Sequence, residues 1–352
     1  MHSIKSIKIG KKSIGDKHPC YMVAELSGNH NGKLKNIFYL IDKAKKAGVD
    51  AVKIQAYEAD TITIESRKKD FIIKKNNSWS KYNTLYKLYK KAQTPLRWLP
   101  KIFKYCKRKK ITVFASVFDV KSLKILKKLN CPAYKIASPE ITDIPLLEEV
   151  AKTKKPIIIS TGLSNLKDIS LAFKSISKFN KKIIILKCTS AYPSKIEELN
   201  LKTILDLKKK FKCLVGFSDH TIGTEVPILA AAIGSNVIEK HFIAKKTKTV
   251  DSFFSLNDKK FKTMITNIRN NEIALGKVNY NISKSSKENL NGRRSLYVVK
   301  KIKKNEKISK FNVRSIRPSF GLHPKFFKRI LGKKVKKNLE VGDRLNFSCI
   351  KL

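Results

Sequence analysis

Two of the six histidines in this 352-residue chain stand at matching positions. His220 closes the run GFSDH (216–220) and His241 lies in IEKHF (238–242), each at the end of a short apolar stretch and just before a helix-like segment. Glu25 ends a similar stretch, CYMVAEL (20–26). Two imidazoles with a carboxylate nearby suit a divalent transition metal that keeps open or water-filled positions. In the plainer alternative each histidine merely hydrogen-bonds a neighbouring loop. A second set is basic and hydroxylic. Lys53 (DAVKIQAY) and Lys135 (AYKIAS) sit inside apolar runs, where an ammonium is costly to bury. With Ser116, Ser138, Ser160, Ser190 and Ser218 they suit a phosphate, which donors of this kind bind well.

These residues need a scaffold that gathers them. Eight β-rich runs occur at fairly even spacing, at 20–26, 50–57, 111–118, 133–138, 156–161, 182–189, 213–219 and 236–242. Helix-like segments such as NIFYLIDKAKKAG, VKSLKILKKLN and TEVPILAAAIG alternate with them. Continuously apolar strands, each followed by a helix, imply parallel pairing with both faces covered. Eight such units predict a (β/α)8 TIM barrel, whose chemistry sits at the C-terminal ends of the strands. There the sequence places Glu25, Lys53 and Gln55, Ser116, then Lys135, Ser138 and Glu140. Ser160–Thr161–Gly162, Thr189, Ser190 and Tyr192, Ser218–Asp219–His220 and Glu239–Lys240–His241 follow. All eight strands are thus expected to aim polar groups at one rim, a shared active site.

The connection at 58–95 is oversized for a barrel loop and reads as a lid or insertion. Residues 1–278 form the barrel in this reading, 279–292 (NYNISKSSKENLNG) a polar linker, and 293–352 a small β-rich domain.

Composition bounds the rest. With 42% hydrophobic residues the chain folds around a sizeable core. Its 77 Lys and Arg against 27 Asp and Glu give +50, but the lysines run along the whole length and form no single arm or face. A solvated basic surface that tolerates anionic substrates is expected, rather than a nucleic-acid partner. No apolar run approaches the roughly 20 residues of a membrane span. MHSIKSIKIGKKS lacks the apolar core of a secretory signal. Six scattered cysteines without a CxxC pair suggest a reducing cytoplasm.

Taken together, VAELSGNHNG, AVKIQAY, YKIASPEI, ISTG, LKCTSAYP, GFSDHT, IEKHF and the terminal RRSLY, RP and GLHP resemble the sialic acid synthase family, from about residue 20 onward. LYKLYKKAQTPLRW and DSFFSL are most similar to its pseudaminic acid branch, although Gly28 and Arg97 stand where alanine and glutamate are usual. The resemblance implies condensation of phosphoenolpyruvate with an acylated amino sugar. The substrate would be 2,4-diacetamido-2,4,6-trideoxy-L-altrose, or N-acetylmannosamine or a related hexose if the product is a neuraminic or legionaminic acid. It implies a divalent metal at His220 and His241, manganese before magnesium or cobalt. It implies phosphoenolpyruvate contacts from Lys53, Ser116, Lys135, Ser138, Ser160, Ser190 and Ser218, and sugar contacts from Gln55, Glu140, Tyr192 and Asp251. Glu25, Lys53 and Lys135 become the catalytic candidates, Glu25 handling the attacking water. The C-terminal region is similar to an antifreeze-like (SAF) domain, whose Arg317 would reach the sugar of a partner subunit in a domain-swapped homodimer. A non-enzymatic polyanion-binding protein is the remaining alternative; it has no use for Glu, His and Lys together on strand ends.

Overall fold

The computed structural model describes residues 6–244 and 248–351. An antiparallel hairpin, Ile7–Ile9 with Lys12–Ile14, precedes the barrel. Eight parallel strands follow: β1 (Tyr21–Glu25), β2 (Ala51–Ala56), β3 (Thr112–Val117), β4 (Tyr134–Ile136), β5 (Ile157–Ser160), β6 (Ile183–Cys188), β7 (Leu214–Asp219) and β8 (Val237–Ile243). Each pairs with the next, and β8 pairs with β1 from Val237 opposite Tyr21 to His241 opposite Glu25, so the ring closes. The predicted TIM barrel is the observed fold.

The strands form where apolar residues run without interruption, since both strand faces are covered. β5 and the start of β6 each read Ile-Ile-Ile, all buried. The outer helices are amphipathic instead. In Leu34–Ala47 the buried residues Ile37, Leu40, Ile41, Ala44 and Ala47 recur at helical spacing, and Gly48 ends the helix at φ +92°. Helix Val120–Lys128 starts at Asp119, whose carboxylate accepts from the Ser122 N–H at 2.6 Å.

The long connection after β2 carries a helix, Leu85–Ala92, and several single turns. Its Ile73, Leu88 and Ala92 share a small core with Val250 from beyond β8. The Trp79 indole N–H donates to the Val250 carbonyl at 3.0 Å, fastening the insertion over the barrel mouth.

The chain divides into two compact units at Gly276–Lys277. In the second, Ser295–Val298 and Val313–Ile316 pair antiparallel around a core that includes Leu296, Val298, Ile302 and Ile330. The polar stretch 279–292 groups with this unit: it holds a short helix, Lys284–Lys287, and its Asn291 carbonyl accepts from the Ser319 N–H.

Candidate active site

Strand alternation decides which rim residues meet. On β8, Glu239 and His241 share one face and Lys240 takes the other. Glu239 Oε1 receives Lys53 Nζ at 2.6 Å, and Glu25 Oε2 lies 3.1 Å from the same ammonium. Ser218, opposite Glu239 in the β7–β8 register, donates to Glu239 Oε1 at 3.1 Å. Lys135 Nζ donates to Ser160 Oγ at 2.6 Å and to the Ile136 carbonyl at 2.9 Å. Ser116 is buried between Gln55 and Lys135 in the β2–β3–β4 register.

Burial sets the chemistry of this group. It pushes the Glu25 carboxyl up to about 7 against the pull of Lys53, and the Glu239 charge adds to the rise. Glu239 moves the other way: Lys53 and Lys135 outweigh its burial and hold it ionised. For Lys53, burial is offset by Glu239 and Glu25, and it stays firmly charged. Burial brings Lys135 down to about 8. The interior therefore holds a carboxyl, Glu25, poised near neutral pH, and an ammonium, Lys135, that donates to a hydroxyl and a carbonyl, an arrangement suited to an anionic substrate.

Hydroxyls crowd the same rim. Ser138 Oγ accepts from the Gly162 N–H at 3.0 Å. A Cβ built on Gly162 would stand 2.2 Å from Ser190 Oγ and 2.9 Å from Ser138 Oγ, so only glycine permits this close approach. The result is a cradle of Ser138, Ser190 and the Gly162 backbone next to the Lys135–Ser160 pair.

His220 and His241 do come together, with ring centroids 5.3 Å apart and planes inclined at 63°. The Thr189 carbonyl, which can only accept, takes the proton of His220 Nδ1 at 2.9 Å and leaves Nε2 with its lone pair. Burial lowers His220, but Cys188 and the Thr189 carbonyl raise it overall; burial raises the Cys188 thiol, yet His220 draws it down to about 7. His241 is held well below the usual range by burial and by His220, and its buried Nδ1 has no hydrogen-bond partner. An orphaned, neutral imidazole nitrogen beside an oriented second imidazole fits a divalent metal. The carboxylate expected beside the pair does not complete a ligand set. Glu25 is engaged by Lys53 and by the Ser27 N–H at 2.8 Å, and among the described residues no three His, Cys, Asp or Glu side chains converge as metal ligands.

Above this interior opens a cavity of about 450 Å³. Gln55, Glu140, Tyr192, His241 and Asp251 line its polar part. Burial raises Glu140 to about 7, and its Oε2 lacks a partner; burial also raises Asp251, which accepts from the Gly28 N–H at 3.3 Å. Arg317 belongs to the second unit, where it is exposed directly after Val313–Ile316.

Two details depart from the sequence reading. Asp219 and Lys240 do not join the rim group. They form a buried ion pair with each other on the opposite strand face, and Lys240 also donates to the Thr221 carbonyl at 2.6 Å. Glu239, which was not singled out for a role, is the hub that joins Lys53 to Ser218. Its position two residues before His241 was the available signal, since i and i+2 share a strand face.

A closed parallel barrel with buried ionisable groups on its C-terminal rim is the architecture of a barrel enzyme. Residues 40–280 match the NeuB family model and residues 293–351 the SAF domain model. The chain belongs to the NeuB family, that of the sialic acid synthases. It is 45% identical over 333 residues to a pseudaminic acid synthase of Campylobacter jejuni, covering 93% of this chain and 96% of that protein. It is 42% identical over 331 residues to one of Helicobacter pylori, covering 93% and 97%. The crystal structure of the spore coat polysaccharide biosynthesis protein SpsE from Bacillus subtilis superposes with a TM-score of 0.67 at 31% identity, over 99% of both chains.

Proposed function

We propose that this chain condenses phosphoenolpyruvate with 2,4-diacetamido-2,4,6-trideoxy-L-altrose and water to give pseudaminic acid and phosphate. The observation that carries this reading is the buried Glu25–Lys53–Glu239 group beside the Lys135–Ser160 pair and the two histidines, at the floor of a sugar-sized cavity. The pseudaminic acid synthases among the relatives support the choice of sugar.

Lys135, Ser138, Ser160, Ser190 and the Gly162 N–H hold the phosphate, and Lys53 with Ser116 and Ser218 steadies the carboxylate. Gln55, Glu140, Tyr192 and Asp251 orient the open-chain sugar with its aldehyde toward His241. His220 and His241 would hold a divalent cation, manganese by family resemblance, and such an ion would supply Lewis acidity to the site. The phosphoenolpyruvate methylene attacks the aldehyde carbon, forming the new C–C bond as the aldehyde π pair moves to oxygen, which takes a proton from solvent to become a hydroxyl. Positive charge left at the second carbon is met by water, whose proton passes to Glu25. The tetrahedral intermediate then expels phosphate by C–O cleavage, its new hydroxyl giving up its proton as the keto group forms. In this reading the enzyme is a cytoplasmic homodimer in which Arg317 serves the barrel of the second copy.

Mass spectrometry of the products, after phosphoenolpyruvate is offered with each candidate hexosamine, tests the proposal. A nonulosonic acid formed chiefly from the diacetamido trideoxy sugar is the expected result. Product formed chiefly from N-acetylmannosamine replaces the substrate, and no product from any acylated hexosamine overturns the reading.

A further inference from the structure

The cavity has two kinds of lining. Its polar groups are accounted for by the sugar's aldehyde and hydroxyl groups; much of the rest is hydrocarbon. Ile62, Ile73, Leu85 and Leu88 from the insertion line it, with the rings of Tyr57 and Phe118 from the ends of β2 and β3. The two rings lie edge to face with centroids 5.0 Å apart. This wall is built and held: Ile73 and Leu88 are buried in the insertion's own small core, and Trp79 ties that core to Val250. Ser78 adds a bond to the Tyr192 carbonyl at 3.2 Å.

Resting on the proposed function, we infer that the insertion is the specificity element and forms an apolar subsite for the methyl-terminated end of the sugar. Its occupants are the deoxy carbon and the methyl of the second acylamino group. A methyl group set against this wall gains burial. A terminal hydroxyl there gives up its water hydrogen bonds and finds no protein partner on the aliphatic side chains. Discrimination by such a wall is roughly 10²-fold, the usual limit for an apolar pocket facing a hydroxyl-bearing analogue. Glu140, with its unpartnered buried Oε2, supplies the same cavity with a polar group for the rest of the sugar.

The test compares kcat/KM, by phosphate release, for the diacetamido trideoxy hexose and for N-acetylmannosamine. The proteins are the wild type and the separate variants Ile62→Asn and Leu85→Asn. Both side chains are only half-buried, so a polar replacement leaves no stranded group in the core. Phe118→Tyr, which adds one hydroxyl to a half-buried ring, reports the same ratio should either asparagine destabilise the protein. The expected result is a wild-type preference near 10²-fold that falls at least tenfold in the variants, with KM for phosphoenolpyruvate held. An unchanged ratio in folded variants overturns the subsite. A wild type that prefers N-acetylmannosamine overturns it too, while the enzyme class stands. No phosphate release with either sugar overturns the proposed function, and the subsite falls with it.

Discussion

Replacing Glu25 with glutamine separates chemistry from scaffolding at the centre of the site. The amide oxygen can still accept from the Ser27 N–H that Glu25 Oε1 now receives at 2.8 Å. Lys53 is not stranded, because Glu239 holds it at 2.6 Å. The loss in folding stability is therefore bounded by one weakened buried contact, about 1–3 kcal/mol. The rate is a different matter. Burial places the Glu25 carboxyl at about 7, so near neutral pH it takes up and releases a proton with equal ease. Glutamine removes that capacity, and turnover should fall by roughly 10²–10⁴-fold, the usual worth of a general base. Wild-type kcat/KM should rise with pH through about 7 as Glu25 ionises, and fall above about 8 as Lys135 loses its proton. In Glu25→Gln the acidic limb should vanish and the alkaline limb remain. Phosphate release across the pH range, with saturating metal and both substrates, measures all of this. Wild-type turnover, or an acidic limb that persists, refutes the role assigned to Glu25.

Other parts of the site make separate predictions. Gly162→Ala drives a methyl group to within 2.2 Å of Ser190 Oγ; KM for phosphoenolpyruvate should rise roughly 5–150-fold, the equivalent of a 1–3 kcal/mol overpacking cost, and an unchanged KM dissolves the cradle. His220→Ala and His241→Ala should each abolish manganese binding in a calorimetric titration while the melting temperature stays close to wild type; normal activity of either after chelation and manganese re-addition removes the metal site. Arg317→Ala should be nearly inactive alone, yet regain partial activity after subunit exchange with Glu25→Gln chains. No rescue after verified exchange argues for a site within one chain.

Much of the scaffold was legible because strand and helix periods differ so plainly here. Seven of the eight barrel strands fall within their expected runs and β8 passes its run by one residue, Ile243; a strand covered on both faces must be largely apolar, as the Ile-Ile-Ile starts of Ile157–Ser160 and Ile183–Cys188 are. The clustering of Lys53 and Lys135 with serines was legible for the complementary reason: polar residues in such runs have to find one another. What escaped depends on direction and register. Asp219 and Lys240 look like rim residues in sequence, but a period of two turns them to the opposite face, where they pair. The hub role of Glu239 appears only once β8 is laid beside both β1 and β7. The insertion announced itself by length alone, because its helix at Leu85–Ala92 and its turns have no barrel repeat to set their spacing. Asp251 follows no barrel strand end and Arg317 lies outside the barrel sequence; both were reached through family resemblance only.

Closure of the ring between β1 and β8 also fixes an order of events during synthesis. Tyr21 leaves the ribosome long before its partner Val237. At about 5–20 residues per second the interval is roughly 10–40 s. Throughout it β1 presents an unpaired edge, the surface on which nascent chains pair wrongly with one another. The insertion waits longer still: Trp79 is made early, but the carbonyl it fastens to belongs to Val250, beyond the last strand. The catalytic pocket thus assembles late, and a nascent chain that stalls before residue 250 carries an insertion with no anchor for Trp79.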